Sequence, residues 1–173
     1  MGVRLLLPIL TSVLLAATFA VPGLAATEER ADGTTNLPVP RFVSLKSNTA
    51  MMRTGPDDQR FPIAWEYKRR GMPMEIIREY GIWRQVRNPD GTIGWMNKSL
   101  LTGERTGFVS GGTRTMYTSP DLQSRVAWRI ETGAVVTITL CENVWCRVSN
   151  GGRSGYILRS QIWGTYANEA IGG

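Results

Sequence analysis

The chain has no histidine and only two cysteines among its 173 residues. Without an imidazole there is no Ser-His-Asp triad, no Cys-His dyad and no histidine metal ligand. Two thiols alone fall short of the four nitrogen and sulfur ligands of a structural zinc site. No metal and no cofactor are therefore expected. Apolar residues nowhere recur with the 3.6-residue period of a long helix. Acid pairs are scarce too. Beyond the first forty residues the only adjacent pair is Asp57-Asp58, which follows Gly55-Pro56 in a turn signature. Turn carboxylates bond to nearby backbone, whereas glycosidic chemistry needs two carboxyls facing each other across roughly 5–9.5 Å. Gly111-Gly112 and Gly151-Gly152 lack the flanking pattern of a phosphate loop, and no Ser sits in a nucleophile elbow. No catalytic residue is expected, and the chain reads as a non-enzyme.

Glycine, proline and tryptophan are well supplied, at 19, 9 and 6 residues. The chain opens with Arg4, an apolar run over Leu5 to Leu15, then small residues to Ala26. This is the layout of a signal peptide over residues 1–25, with cleavage after Ala25 and with Ala20 or Ala26 as other positions. The run falls short of the ~20 residues of a membrane span; an uncleaved anchor is the competing reading. After cleavage no span is expected, and the destination is periplasmic or secreted. Arg4 leaves with the leader, so 19 basic and 14 acidic side chains remain, a net of +5. The basic residues are scattered apart from Lys68-Arg69-Arg70. This balance suits an anionic polymer or surface. No nucleic acid is expected as partner of an exported chain. Residues 26–40 read as a flexible linker and residues 164–173 as a loosely held tail.

Laid on itself, the chain repeats. Thr49 to Asp57 resembles Thr113 to Asp121 at an offset of 64; Ala64-Trp65 matches Ala127-Trp128 at 63; Ile76, Trp83 and Val86 match Ile138, Trp145 and Val148 at 62; Gly94-Trp95 matches Gly155-Tyr156 at 61. The offset drifts only at loops, which predicts two copies of one module, at residues 41–103 and 105–163. Short β-rich runs appear in the first copy at Arg41–Leu45, Thr49–Arg53, Pro73–Arg78, Ile82–Arg87 and Thr92–Met96, with Asn88-Pro-Asp-Gly91 as a hairpin signal. The second copy repeats them at Val135–Leu140, Val144–Ser149 and Ser154–Leu158. Trp65 and Tyr67 fall in a longer loop region. The fold class predicted is all-β, as two tandem small barrels behind the signal peptide.

Cys141 and Cys146 both lie in the second copy, and the repeat places them where Glu79 and Arg84 stand in the first. Those two read as a cross-strand pair beside a hairpin connection. A shared geometry brings the thiols within disulfide reach, and an oxidising destination favours the bond. A redox pair is the alternative, although the C-x4-C spacing lacks thioredoxin-like character.

Asn48 to Arg53, Gly55-Pro56, Gly71, Gly81-Ile82-Trp83, Val86, Gly91 and Gly94-Trp95 together resemble the pattern of bacterial SH3 (SH3b) domains. The second copy departs from it with Tyr117 for Arg53, Ser119 for Gly55 and Tyr156 for Trp95. The resemblance implies SH3-like barrels of five to six strands, and a targeting or binding role in the bacterial envelope. Expected partners are a peptide, peptidoglycan or an envelope protein, with a structural adaptor and a wall-hydrolase accessory as alternatives. Candidate ligand-binding residues are the aromatics Trp65, Tyr67, Tyr80, Trp83 and Trp95 with Arg53 in the first copy, and Tyr117, Trp128, Trp145 and Tyr156 in the second. For Trp83 and Trp95 core is the preferred reading, since a domain this small concentrates its burial in aromatics. Arg53 has a second reading as the partner of Asp57.

Overall fold

The computed structural model describes Met1, Arg30 and residues 32–172; the expected leader, its cleavage point at Ala25 and the first part of the linker lie outside the described residues. Among the described residues there is no α-helix, and none is long and apolar enough to cross a membrane.

The strands of the first copy are β1 (Arg41–Leu45), β2 (Ala50–Arg53), β3 (Ile63–Tyr67), β4 (Pro73–Tyr80), β5 (Trp83–Arg87), β6 (Ile93–Asn97) and β7 (Leu101–Thr102). Those of the second are β8 (Thr106–Val109), β9 (Arg114–Tyr117), β10 (Val126–Ile130), β11 (Val135–Glu142), β12 (Trp145–Asn150), β13 (Arg153–Leu158) and β14 (Ile162–Trp163). Each copy is one seven-stranded antiparallel sheet, ordered β3-β2-β6-β5-β4-β1-β7 and β10-β9-β13-β12-β11-β8-β14. The orders are identical position by position. Seven strands replace the expected five to six because a short 3-10 turn at Lys98–Leu100, and another at Arg159–Gln161, returns the chain to the first strand of its module.

Alternation explains the curl. In β5, Arg84 and Val86 are buried while Trp83, Gln85 and Arg87 are partly exposed. Residues of one parity turn to the interior of the curled sheet, the others outward. Met52, Met74, Ile76, Val86 and Met96 form the interior of the first copy, and Met116, Val136, Ile138, Val148 and Ile157 that of the second. Each such side chain contributes about 1.5–3 kcal/mol by leaving water. Ala64 and Ala127 are skipped in the β2–β3 and β9–β10 registers, and Ile77 and Thr139 in β4–β5 and β11–β12. These matched bulges bend the sheets at the same points. Closure needs Gly94: a Cβ there would stand 2.5 Å from the Met52 side chain and 2.9 Å from the Arg53 carbonyl.

Trp65 and Tyr67, expected in a loop, lie on β3. Every residue of β3 but Tyr67 is exposed, because β3 is an edge strand with a single neighbour.

Where they are described, the segments before β1 and after β14 pack against the barrels. Thr35 donates its amide and hydroxyl to the Glu79 carboxylate at 2.6 and 2.9 Å, and Arg84 donates to the Gly33 carbonyl at 2.9 Å. Ile171 is 8% exposed, joins the second interior and pairs with Cys141. Both segments are held by contacts with buried groups far away in sequence, which compositional reading of loops does not register.

The barrels touch. The Phe42 ring meets Trp163 edge-on at 4.9 Å and Tyr166 at 4.7 Å, and Arg105 stands 5.8 Å from its centroid. The Tyr166 hydroxyl donates to Glu75 at 3.0 Å, and Arg69 to the Gly133 carbonyl at 2.7 Å. Burial, then the neighbouring Glu75 carboxylate, raise the Tyr166 phenol well above its ordinary value.

Candidate functional site

The outward parity of β2, β6 and β5 gathers most of the expected residues on one face. Arg53 stands opposite Trp95, Trp95 opposite Gln85, and Gln85 opposite Arg78. One step along, Asn97 faces Trp83, which faces Tyr80. Directly opposed residues project to the same side of a sheet. Arg53, Trp95, Trp83 and Tyr80 therefore form a ledge. Their exposures differ: Tyr80 is 62% exposed, Trp83 partly exposed, and Trp95 only 9%. Trp95 is buried yet points away from the interior, whose members Gly94 and Met96 flank it on β6. It acts as the floor of the ledge and Tyr80 as its open rim.

Arg53 Nη1 donates to the Phe61 carbonyl at 2.8 Å, and the ring of Phe61 covers Gly55. The Asp57 pairing is therefore not what holds Arg53. Asp57 accepts the amides of Gln59 and Arg60 at 2.8 and 2.9 Å. The Arg60 amide first, then that of Gln59, hold its carboxyl below the ordinary value. A carboxylate spent on its own turn is poorly placed for acid–base work.

Trp65 and Tyr67 stand apart from the ledge. Trp65 faces Met52, so it belongs to the interior parity, but at the open edge of the sheet it is 57% exposed. Tyr67 packs on the first interior, accepts Asn88 Nδ2 at 2.9 Å and has its phenol raised by burial.

The second copy builds the same face from other residues. Tyr117 faces Tyr156, which faces Arg147, and Trp145 lies one step along opposite Leu158. The rings of Tyr117 and Trp145 meet edge-on at 5.6 Å. Tyr117 thus extends the aromatic surface where the first copy has a cation. An open cleft of about 410 Å³ borders this face, between Thr118, Ala127, Arg147 and Tyr156. Trp128 repeats the position of Trp65 but is better covered, with its indole N–H donated to the Ser154 carbonyl at 3.1 Å.

The ledge holds residues that sequence reasoning missed. Met51, Ile63 and Ile93 share its parity and are 42%, 46% and 48% exposed. Strict alternation through Ile93, Trp95 and Asn97 was the available signal. Exposed aromatic and aliphatic surface beside a fixed guanidinium is suited to stacking on flat polar groups and to accepting a carboxylate. Cys141 and Cys146 are joined as a disulfide, with Cα atoms 4.1 Å apart. Among the described residues no cluster of three or more metal-ligating side chains occurs.

The family comparison agrees with this architecture. The family profile described as "Bacterial SH3 domain" matches residues 46–103 and again 111–164. No curated protein matches. Among solved structures the chain is similar to NlpC2 from Trichomonas vaginalis, at 16% identity and a TM-score of 0.33, over 72% of this chain and 48% of that one. It is similar to NlpC1 from the same organism, at 16% identity and 0.33, over 75% and 47%. An NlpC/P60 family protein from Bacillus cereus aligns at 13% identity and 0.33, over 70% and 55%. The chain spans about half the length of these proteins.

Proposed function

The chain belongs to the bacterial SH3 domain family, and from that membership we propose that it is an exported, non-enzymatic binding module that takes peptidoglycan or its peptide stems in the periplasm or outside the cell. The observation that carries this reading is the outward ledge, built twice from equivalent strand positions. Arg53, Tyr80 and Trp83 offer a cation beside ring faces, and Tyr117, Trp145 and Tyr156 offer rings alone. Sugar and peptide planes stack on such rings, while stem carboxylates suit Arg53. The net positive charge supports association with an anionic wall polymer.

Co-sedimentation with purified peptidoglycan tests this. The wild-type chain is expected in the pellet, and Tyr80→Ala is expected to weaken binding about tenfold. A wild-type chain that stays in the supernatant overturns the reading. Turnover of dye-labelled peptidoglycan by the pure protein contradicts the non-enzymatic assignment.

The contact of Phe42 with Trp163 and Tyr166 favours a second reading, in which the paired barrels act as one rigid adaptor for an envelope protein. Recovery of a specific protein, with no peptidoglycan binding, selects it.

A further inference from the structure

The two ledges place their cations differently. In the first barrel the row across β2, β6, β5 and β4 reads Arg53, Trp95, Gln85, Arg78. Its guanidinium groups stand at the two ends of the row. In the second barrel the matching row across β9, β13, β12 and β11 reads Tyr117, Tyr156, Arg147, Leu140. Here one cation stands inside the row, directly beside a ring. Cross-strand neighbours of this kind have Cβ atoms about 4.5–5.5 Å apart. Trp95 is 9% exposed, whereas Tyr156 is partly exposed and Arg147 fully so.

The position beside the ring changes as well. Ile93, which faces Arg87 on the first ledge, has its counterpart in Ser154, which faces Ser149. Ser154 and Thr118 flank Arg147 and Tyr156 in the open cleft of about 410 Å³. An apolar edge is thus replaced by hydroxyls around a guanidinium. Among the described residues the Arg147 side chain has no ion-pair or hydrogen-bond partner. No carboxylate lines the cleft. The acid nearest by register, Glu142, faces Trp145 one step along. A free guanidinium fork receives a carboxylate through two parallel N–H bonds. The hydroxyls can donate to the same oxygens, and the Tyr156 ring offers a face to the aliphatic carbons that carry them.

We propose that this cleft is a carboxylate slot, in which Arg147, Thr118 and Ser154 hold a carboxylate of a peptide stem and Tyr156 packs on the adjoining carbons. The slot deepens the wall-binding reading and rests on it for the source of the peptide. It gives the second ledge a carboxylate site of its own, set beside the ring where the first ledge has Gln85 and Ile93.

The test titrates three soluble peptides into the isotope-labelled full chain: acetyl-Ala-D-Ala-D-Ala with a free terminus, the same peptide amidated, and amidated acetyl-Ala-D-Glu-Ala. Amide resonances of Thr118, Arg147, Ser154 and Tyr156 are expected to shift with at least one of the two acids. The first acid identifies a chain terminus as the source, the second a side chain. The neutral peptide is expected to bind about tenfold more weakly, and so is the preferred acid to the Arg147→Gln chain. Ser154→Ile, which copies the first barrel, is expected to weaken binding too. Both residues are exposed, and an unmoved Ile157 amide shows that the barrel is folded. Lys46→Gln removes the same unit of charge elsewhere and leaves binding unchanged. Equal binding of acids and neutral peptide, an equal loss with Lys46→Gln, or shifts confined to the first ledge overturn the slot. A wild-type chain that pellets with peptidoglycan in spite of such a result keeps the wall reading and loses the slot. A chain that stays in the supernatant but still selects an acid keeps the slot and loses the wall reading.

Discussion

Across the β4–β5 hairpin, Glu79 and Arg84 stand opposite each other; across β11–β12 the same two positions hold Cys141 and Cys146. The ion pair, 3.2 Å apart, is nearly dry, with side chains 9% and 3% exposed. Buried charges need every lone pair and proton matched. The first barrel therefore recruits outside groups: Arg41 and Thr35 on Glu79, and the carbonyls of Gly33, Gly81 and Trp83 on Arg84. A disulfide asks for no partner. The second barrel holds its strap by other means, through backbone pairing of Ile171 with Cys141 and the clasp of Arg105 and Arg159. A polar corner organises the chain around it, whereas a covalent corner leaves the neighbouring segment to be secured elsewhere.

The largest effect expected from breaking this contrast is at Glu79. Glu79→Ala leaves Arg84 buried without its carboxylate and should cost about 3–5 kcal/mol of first-barrel stability in urea denaturation. A cost under about 1 kcal/mol would mean that the pair behaves like a surface salt bridge. Reducing Cys141–Cys146 should cost about 2 kcal/mol, since the closed loop is short. Hydrogen exchange should then quicken at Ile171 and stay unchanged at Thr35; uniform quickening in both barrels would contradict separate corners.

Acid gives a graded version. Burial pushes the Glu79 carboxyl up, but the Thr35 amide and the Arg41 guanidinium outweigh it and hold the value below normal. Glu169 is lowered in the same way, with burial opposed by Arg105 and the Tyr166 amide. For a carboxylate depressed on folding, the stabilisation is whole above its unfolded value and fades as pH falls through the folded one. Both straps should therefore loosen below the ordinary glutamate range, while the disulfide keeps the β11–β12 hairpin paired. Amide exchange followed from neutral pH downward checks this, and an early loss of that hairpin contradicts it.

Exchanging the corners sharpens the comparison. Glu79→Cys with Arg84→Cys should oxidise to leave no titratable thiol, and Thr35 should lose its protection because its acceptor is gone. The smallest expected effect is at Tyr80→Ala, which should alter stability by no more than about 0.5 kcal/mol, since the ring lies outside both interiors. A larger loss would assign the ledge to folding.

Much of this was legible beforehand. The two modules, the cross-strand pairing of residues 79 and 84, and the disulfide followed from laying one copy on the other, because hairpin spacing fixes which side chains meet. Strands β3 and β10 were not legible: at a sheet edge, residues of both parities meet solvent and alternation disappears. The straps were illegible for another reason. Thr35 and Glu79 are 44 residues apart, and no local pattern encodes a carboxylate that waits for a distant amide. The ledge was half visible: its aromatics were named, whereas Met51 and Ile93 were passed over as ordinary strand residues and Ile63 fell outside every expected strand.

The two straps also lie on opposite sides of their sheets in the order of synthesis. Glu79 meets residues already made, so the first barrel has all its parts once β7 has appeared. Cys141 meets Ile171, made eight residues after β14. As the chain emerges from its N-terminal side, the first barrel can complete itself while the second waits with an open corner. A nascent chain halted between residues 103 and 171 would thus present one finished domain and one unfinished, a natural substrate for whatever quality control inspects it.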